Sequence, residues 1–325
     1  IRMALDLGFT MLTLDCSEQI DNTIMQLDIA AVTEKYEALP ADVRRHYETR
    51  YLDRVFSVGD HIVSFDRPAL MRMVLIYHEA IAFMIRIYET YIARAGREID
   101  FEISIDETLT PTAPEAHYLV ARELYERGMD IFSMAPRFCG EVQKGIDYIG
   151  DLNAFRRELQ VHAAIADYFG HKLSIHSGSD KFSVFPSIGR ATRGRWHVKT
   201  AGTNWLEAMR IVARCNPGLY RRMHAYALEH FAEATAYYHV KADPAKVRPL
   251  SEVPDEALPS YLNDDDARQV IHITYGILLQ AQDGEGKPLF KDELFKTLIE
   301  REDDYAEALE RHIGRHLDLL GALVE

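Results

Sequence analysis

The sequence predicts an α/β protein: a TIM-like (β/α) barrel, incomplete in this chain, followed by a mainly helical C-terminal region. Three observations predict it. Short β-type runs alternate with long amphipathic stretches, the pattern of strand and helix units in a parallel sheet. Gly96, Gly128 and Gly170 stand just past three of the helical stretches, where a left-handed residue closes a helix. Several strands carry ionisable side chains at every second position, which calls for a polar space on one face.

The elements follow in order. A short helix ending at Gly8 leads into the first strand, residues 9–15. Residues 55–65 fit a hairpin around Gly59-Asp60. Further strands are expected at 100–106, 131–135, 172–176 and 196–200, bounded by turn formers and rich in β-branched and aromatic residues. Helical periodicity covers 68–94, 114–127, 152–169, 204–213, 218–238 and 303–320. Residues 243–259 contain four prolines and read as a long surface connection. The expected division is therefore 1–240, barrel units carrying the site, and 241–325, the connection with helices packed outside. Five strands do not close an eight-stranded barrel and the first arises near residue 9, so the natural protein is expected to continue upstream.

Composition narrows the function. Against 51 acidic side chains stand 37 basic ones, a formal net charge of -14 that repels nucleic acid backbones and anionic membranes. Cys16, Cys139 and Cys215 are far apart and odd in number, which suggests neither disulfides nor a thiolate zinc site and points to the cytoplasm. No apolar run is read as reaching the roughly 20 residues of a membrane span. Gly284-Glu285-Gly286-Lys287 lacks the context of a phosphate-binding loop, no dinucleotide fingerprint follows a strand, and no Gly-x-Ser-x-Gly elbow occurs.

The strands carry the chemistry. Alternation puts Glu102, Ser104 and Asp106 on one face of their strand, Lys172, Ser174 and His176 on one face of another, and His197 with Lys199 on a third. If these faces share a lumen, too many ionisable groups gather there to be buried without pairing or function. An antiparallel sheet with one face in water is the alternative. A carboxylate in mid-strand, as at Glu102, is rare unless the space before it is polar. His176, at a strand end, suits a divalent transition ion, and Glu141 sits in a glycine-containing loop from which it could reach the same ion. Arg137 and Lys199 could hold a substrate carboxylate or neutralise the acidic lumen. His117, His162, His224 and His272 read as core histidines, and Asp264 to Asp266 as a helix start.

The blocks FEISIDET, PRFCGEVQKGIDYIGDL, KLSIHSGSDKFSVFP and HVKTAGTNWLEA together resemble the tagaturonate epimerase family, from Gly8 to the carboxyl terminus. That family comprises metal-dependent enzymes that interconvert tagaturonate and fructuronate by inverting C4. By resemblance, Glu102 matches the acid/base glutamate and His176 a metal-binding histidine, while Glu141 is a further expected ligand. Arg137, Lys181, Lys199 and Asp106 are the expected substrate-binding residues. The family's aspartate and histidine pair lies upstream of the matched blocks and is not among these residues. The implied cofactor is a divalent ion, Zn, Mn, Ni or Co, and the implied partner a small sugar acid, with no nucleic acid or membrane and a homo-oligomer as the assembly. Because C4 is not adjacent to the C2 ketone, its hydrogen is not acidified. Retro-aldol cleavage of C3–C4, rotation of the aldehyde and readdition is the economical route, and it needs a Lewis acid and a base. A metal-dependent sugar isomerase or aldolase, or a non-catalytic relative that binds sugar acids, is the competing expectation.

Overall fold

The structure is a computed structural model and describes residues 1–106, 108–200, 202–236 and 240–322. The chain forms two compact units. The first comprises Ile1–Gly140, Gly150–His176 and Ser187–His197, and the second Glu141–Ile149, Ser177–Pro186 and Val198–Glu325.

The first unit is organised on a sheet of five strands: β1 (Met11–Asp15), β4 (Asp100–Ile105), β5 (Ser133–Pro136), β6 (Lys172–Ile175) and β7 (Trp196–Val198), neighbours in that order. The pairings β1 with β4, β4 with β5 and β5 with β6 are parallel, which removes the antiparallel alternative. Between β1 and β4 the chain adds helices and an antiparallel hairpin, β2 (Val55–Val58) and β3 (His61–Ser64), turning at Gly59-Asp60 as expected. Among the described residues the sheet does not close into a barrel.

Alternation along β4 works as read from the sequence. Phe101, Ile103 and Ile105 are buried in a cluster with residues of α4 (Arg67–Ile87) and α5 (Pro114–Tyr125). Burying each such side chain stabilises the fold by about 1.5–3 kcal/mol and leaves Glu102 and Ser104 to the opposite face. Helix α4 starts at an Asp66 cap, whose carboxylate accepts the Ala69 N–H at 2.8 Å, with Pro68 in the first turn. It passes into a π-helical turn, Tyr88–Ile92, before Gly96 with φ +70°. The expectation that no run has the length of a membrane span needs correction here. Arg67–Ile92 is 26 residues long, its most apolar 18-residue window has a mean hydropathy of 1.4, enough by length and composition, and half of that window is buried within the protein. Helix α6 (Leu152–Phe169) has the boundaries the sequence predicts, capped by Asp151 and ended by Gly170 with φ +97°.

The second unit is helical. It contains α8 (Thr203–Cys215), α9 (Pro217–Glu229), α11 (Asp265–Ile273), α13 (Lys291–Glu300) and α14 (Glu302–Leu319). The helix expected over 218–238 stops at Glu229, where His230 leaves helical geometry, and its expected last residue, Tyr238, lies outside the described residues. The proline-rich segment is less a surface strap than expected. It winds through 3-10 turns at Pro244–Lys246, Leu250–Glu252 and Asp255–Asn263, and buries Val247, Val253 and Leu258. Proline blocks a continuous helix without preventing short turns, and the spaced apolar residues pack against Leu219, Tyr220 and Met223 in one cluster. Residue 240, the expected division, falls inside this unit, because α8 and α9 share that core with the segments that follow.

Candidate active site

One row of polar side chains crosses the sheet of the first unit. The register pairs Thr13 with Glu102 and Glu102 with Ser133, so the three share a face. Glu102 is wholly buried, and each carboxylate oxygen receives two partners. Oε1 accepts the Thr13 hydroxyl at 2.9 Å and lies 2.9 Å from His176 Nε2. Oε2 accepts the Ser133 hydroxyl at 2.6 Å and lies 2.7 Å from His197 Nδ1. Burial alone would favour the neutral acid. The donors from His176, His197 and Ser133 outweigh it and hold the carboxyl well below the usual range.

His176 stands one residue past β6. Its Nδ1 lies 3.2 Å from Asp106 Oδ1, an oxygen that also accepts the Ser104 hydroxyl at 2.6 Å. Burial opposes the charged ring, but the hydrogen bonds to Asp106 and Glu102 prevail and push His176 up to about 9. The same contacts, against the burial penalty, lower Asp106. His197 Nδ1 is also 3.0 Å from Ser174 Oγ. A carboxylate only accepts, so the contact with Glu102 places a proton on His197 Nδ1.

Imidazole and carboxylate are donor types suited to a divalent transition ion, but these four side chains do not bring three ligand atoms within reach of one another. Ligands about 2.0–2.2 Å from one ion lie roughly 3 Å apart. The 2.9 Å between His176 Nε2 and Glu102 Oε1 meets that spacing.

The other expected residues take different places. In the first unit, Arg137 donates to the Thr108 carbonyl, and its backbone N–H to the Thr112 hydroxyl at 2.9 Å. In the second unit, Glu141 lies 3.5 Å from Lys241 Nζ and accepts the Gln143 amide at 3.4 Å. Lys181 was expected to meet a substrate carboxylate. Instead it is fully buried, and its ammonium donates to the carbonyls of Gln143 and Ser179, each at 2.7 Å, and of Ile146. Three acceptors use the three protons of an ammonium, so Lys181 organises loops, and burial lowers it to about 7. Lys199 is exposed, and its carbonyl accepts the Gly178 N–H at 2.9 Å.

A second titratable cluster lies in the second unit. Asp180, His312 and His316 bring one possible ligand atom each within 4.8 Å of one another, a grouping that could hold a metal ion. Its lone pairs are already engaged. Asp180 Oδ2 pairs with Arg268 at 2.7 Å and Oδ1 with His312 Nε2 at 2.6 Å. His316 accepts the Asp180 N–H on Nε2 at 3.0 Å and donates from Nδ1 to the His312 carbonyl at 2.8 Å. A guanidinium beside the carboxylate also opposes a cation there.

Comparison with known proteins settles the kinship. The family model described as tagaturonate epimerase matches residues 1–320. The chain belongs to the tagaturonate epimerase family. The match starts at residue 1, upstream of the Gly8 where the resemblance was expected to begin. A curated relative, the tagaturonate/fructuronate epimerase of Thermotoga maritima, is 42% identical over 314 residues, which are 96% of this chain and 63% of that protein. Native and glycerol-complexed crystal structures of the fructuronate-tagaturonate epimerase UxaE from Cohnella laeviribosi are 69% identical. They superpose with a TM-score of 0.97 over 98% of this chain and 65% of theirs. The chain therefore spans somewhat less than two thirds of the length of the epimerases it matches.

Within this epimerase-family chain, the sequence brought Glu102, His176 and Asp106 to notice. Thr13, Ser133 and Ser174 were missed or left without a role, because a hydroxyl in a strand carries no signal until the register places it opposite Glu102. The Asp180 cluster was missed as a cluster, although His312 and His316 stand four residues apart, on one face of a helix.

Proposed function

We propose that this chain carries the catalytic carboxylate of a metal-dependent epimerase that inverts C4 of a ketohexuronate, converting tagaturonate to fructuronate by retro-aldol and aldol chemistry. The observation that carries it is the Glu102 carboxylate, buried with a hydroxyl and an imidazole on each oxygen. Family membership and the names of the two epimerases support the substrate class. Glu102 takes the proton of the C4 hydroxyl as the C3–C4 bond breaks, and returns it once the aldehyde has turned its other face. In the resting arrangement the imidazole protons keep Glu102 weakly basic, and it becomes a stronger base when the proton shared with His176 leaves. His176 is the residue of this unit proposed to help hold the divalent ion, which would supply Lewis acidity when bound. Arg137, in the same unit as Glu102, is the cation proposed for the substrate carboxylate. The sheet, whose strand order follows the chain with parallel neighbours, is read as consecutive strands of a (β/α) barrel.

The test is product analysis with the full-length protein. Tagaturonate incubated with divalent ion should yield fructuronate and no smaller fragments. Release of three-carbon products would make it an aldolase, and inert substrate would support a binding role.

A further inference from the structure

We propose that a cavity in the second unit is a binding site for a small phosphate-bearing molecule, independent of the chemistry at Glu102. The cavity, of about 380 Å³, lies between α8 and α14, with Pro259 among its walls, and its size suits a small organic ligand. Four guanidinium groups line it: Arg210 and Arg214 from α8, Arg311 and Arg315 from α14. Glu207 and Asp304 are the carboxylates in the same lining, so the walls carry an excess of two positive charges in a chain of formal net charge -14. His312 also lines the cavity, its Nε2 engaged by Asp180 at 2.6 Å.

Helical period brings these groups together. Residues 207, 210, 211 and 214 follow one face of α8, and residues 304, 308, 311 and 315 one face of α14. Stripes through which helices face each other are normally apolar. Here Ile211 and Ala308 are the buried apolar members, and each helix adds two arginines four residues apart, a like-charge pair that weakens a helix unless something neutralises it.

The existing partners leave donors for an anion. Arg210 is engaged on all sides, by Glu207 at 3.2 Å, the carbonyls of Pro259 and Leu262 at 3.3 and 3.2 Å, and the Asn263 side chain at 3.0 Å, so it shapes the wall. Arg214 gives one N–H to Asp304 at 2.8 Å. Arg311 pairs with Glu307 at 2.8 Å, both side chains being largely exposed, and such a pair is weak. Arg315 lies over the Phe182 ring, 3.9 Å from its centre, and has no carboxylate partner among the described residues. A ring face holds a guanidinium in place while its N–H edge stays open to an acceptor. A phosphate group close to a dianion matches the excess charge, and its three terminal oxygens can each accept from a different guanidinium, whereas a carboxylate offers two oxygens in one plane. Ile211, Ala308 and Pro259 give the organic part of a phosphate ester an apolar wall.

The test is calorimetric titration of the full-length protein at low ionic strength with inorganic phosphate, glycerol 3-phosphate and succinate, for the wild type, Arg311→Gln, Arg315→Gln and Arg222→Gln, with thermal midpoints measured in parallel. Arg222 is an arginine of the same unit, paired with Glu293 outside the cavity, and controls for the loss of a charge alone. Arg311→Gln and Arg315→Gln should each bind the phosphate ligands about 10–100-fold more weakly, the loss of one charge-assisted contact, while Arg222→Gln binds like the wild type. Tighter binding of glycerol 3-phosphate than of inorganic phosphate identifies an ester as the ligand, and the reverse order identifies free phosphate. The proposal is overturned by an absence of saturable binding to the wild type, by succinate binding as tightly as either phosphate, by wild-type affinity in both cavity variants, or by equal weakening in Arg222→Gln. Should Arg315→Gln lower the midpoint by losing its stacking on Phe182, Arg311→Gln decides, because its one partner is the exposed Glu307.

Discussion

His117 Nδ1 and His162 Nδ1 lie 2.9 Å apart in the fully buried interior of the first unit, and on the opposite side of the ring His117 Nε2 lies 3.0 Å from His171 Nε2. His162 Nε2 donates to the Thr112 carbonyl at 3.1 Å, so its Nδ1 must accept, and the protons of the next two rings follow in one direction. The chain works only while all three rings are neutral. Burial, reinforced by the neighbouring imidazoles, keeps His117 well below its ordinary value, and burial lowers His162 to about 4 and His171 to about 3. Groups depressed in the fold but ordinary in the unfolded chain contribute stability that is complete above about pH 6.5 and lost as pH falls toward 4. Each ring should cost about 1.4 kcal/mol per pH unit in that window. Thermal midpoints from pH 7.5 to 4.5 should fall steeply, and less steeply in His171→Gln. A flat wild-type profile would show that the rings are not neutral in the fold.

Glu102→Gln separates chemistry from scaffold. The amide keeps the shape but cannot take a proton, so turnover of tagaturonate should fall about 10²–10⁴-fold. It should also destabilise the protein, by about 1–3 kcal/mol, because one of the two oxygens becomes a donor facing the donors of Thr13 and His176 or of Ser133 and His197. Turnover close to that of the wild type would make Glu102 structural.

Arg268→Met should be among the most damaging single changes in the second unit. Arg268 and Asp180 are buried and paired at 2.7 Å, and the guanidinium also donates to the Leu262 carbonyl at 2.7 Å. Removing one partner of a buried pair leaves an uncompensated charge and costs about 3–5 kcal/mol. Denaturant unfolding would show it, and a loss below 1 kcal/mol would mean that His312 alone satisfies Asp180.

Gly202→Ala tests a close approach of backbone and ring. Gly202 has φ +97°, and a Cβ there would come 2.0 Å from His272 Cε1, inside any permitted contact. Gly145, at φ +73°, approaches the same ring, with a Cβ that would stand 2.7 Å from Cδ2. Alanine at 202 should lower the thermal midpoint more than alanine at 145, since both strain the backbone but the first overlaps the ring more deeply. Equal, small shifts would show that the ring can move away.

Several features were legible in the sequence because they depend on near neighbours. The strands of β4 and β6, the hairpin at Gly59-Asp60, the limits of α6 and the left-handed glycines after helices all follow from side-chain period and backbone sterics. So did the suspicion attached to Glu102, since a carboxylate in mid-strand has a solvation cost wherever the strand goes. Residues 29–51 were passed over, although they form α2 (Ile29–Glu37) and α3 (Ala41–Tyr51). The sequence of α3 is polar around most of its surface, and its stability comes from the buried rings of Tyr47 and Tyr51.

The tertiary structure alone decided which polar groups meet. Glu102 and His176 are 74 residues apart and Glu102 and His197 are 95 apart. Their contact depends on strand order and register, quantities that a one-residue slip would reverse. The same holds for Lys181, whose charge suggested a ligand and whose burial among three carbonyls made it a brace. Local sequence determined which residues could do chemistry, because residue type and period are properties of the chain. Long-range packing determined which of them do it together, because hydrogen bonds and ion pairs act over a few ångströms of space, however far apart the residues lie in sequence.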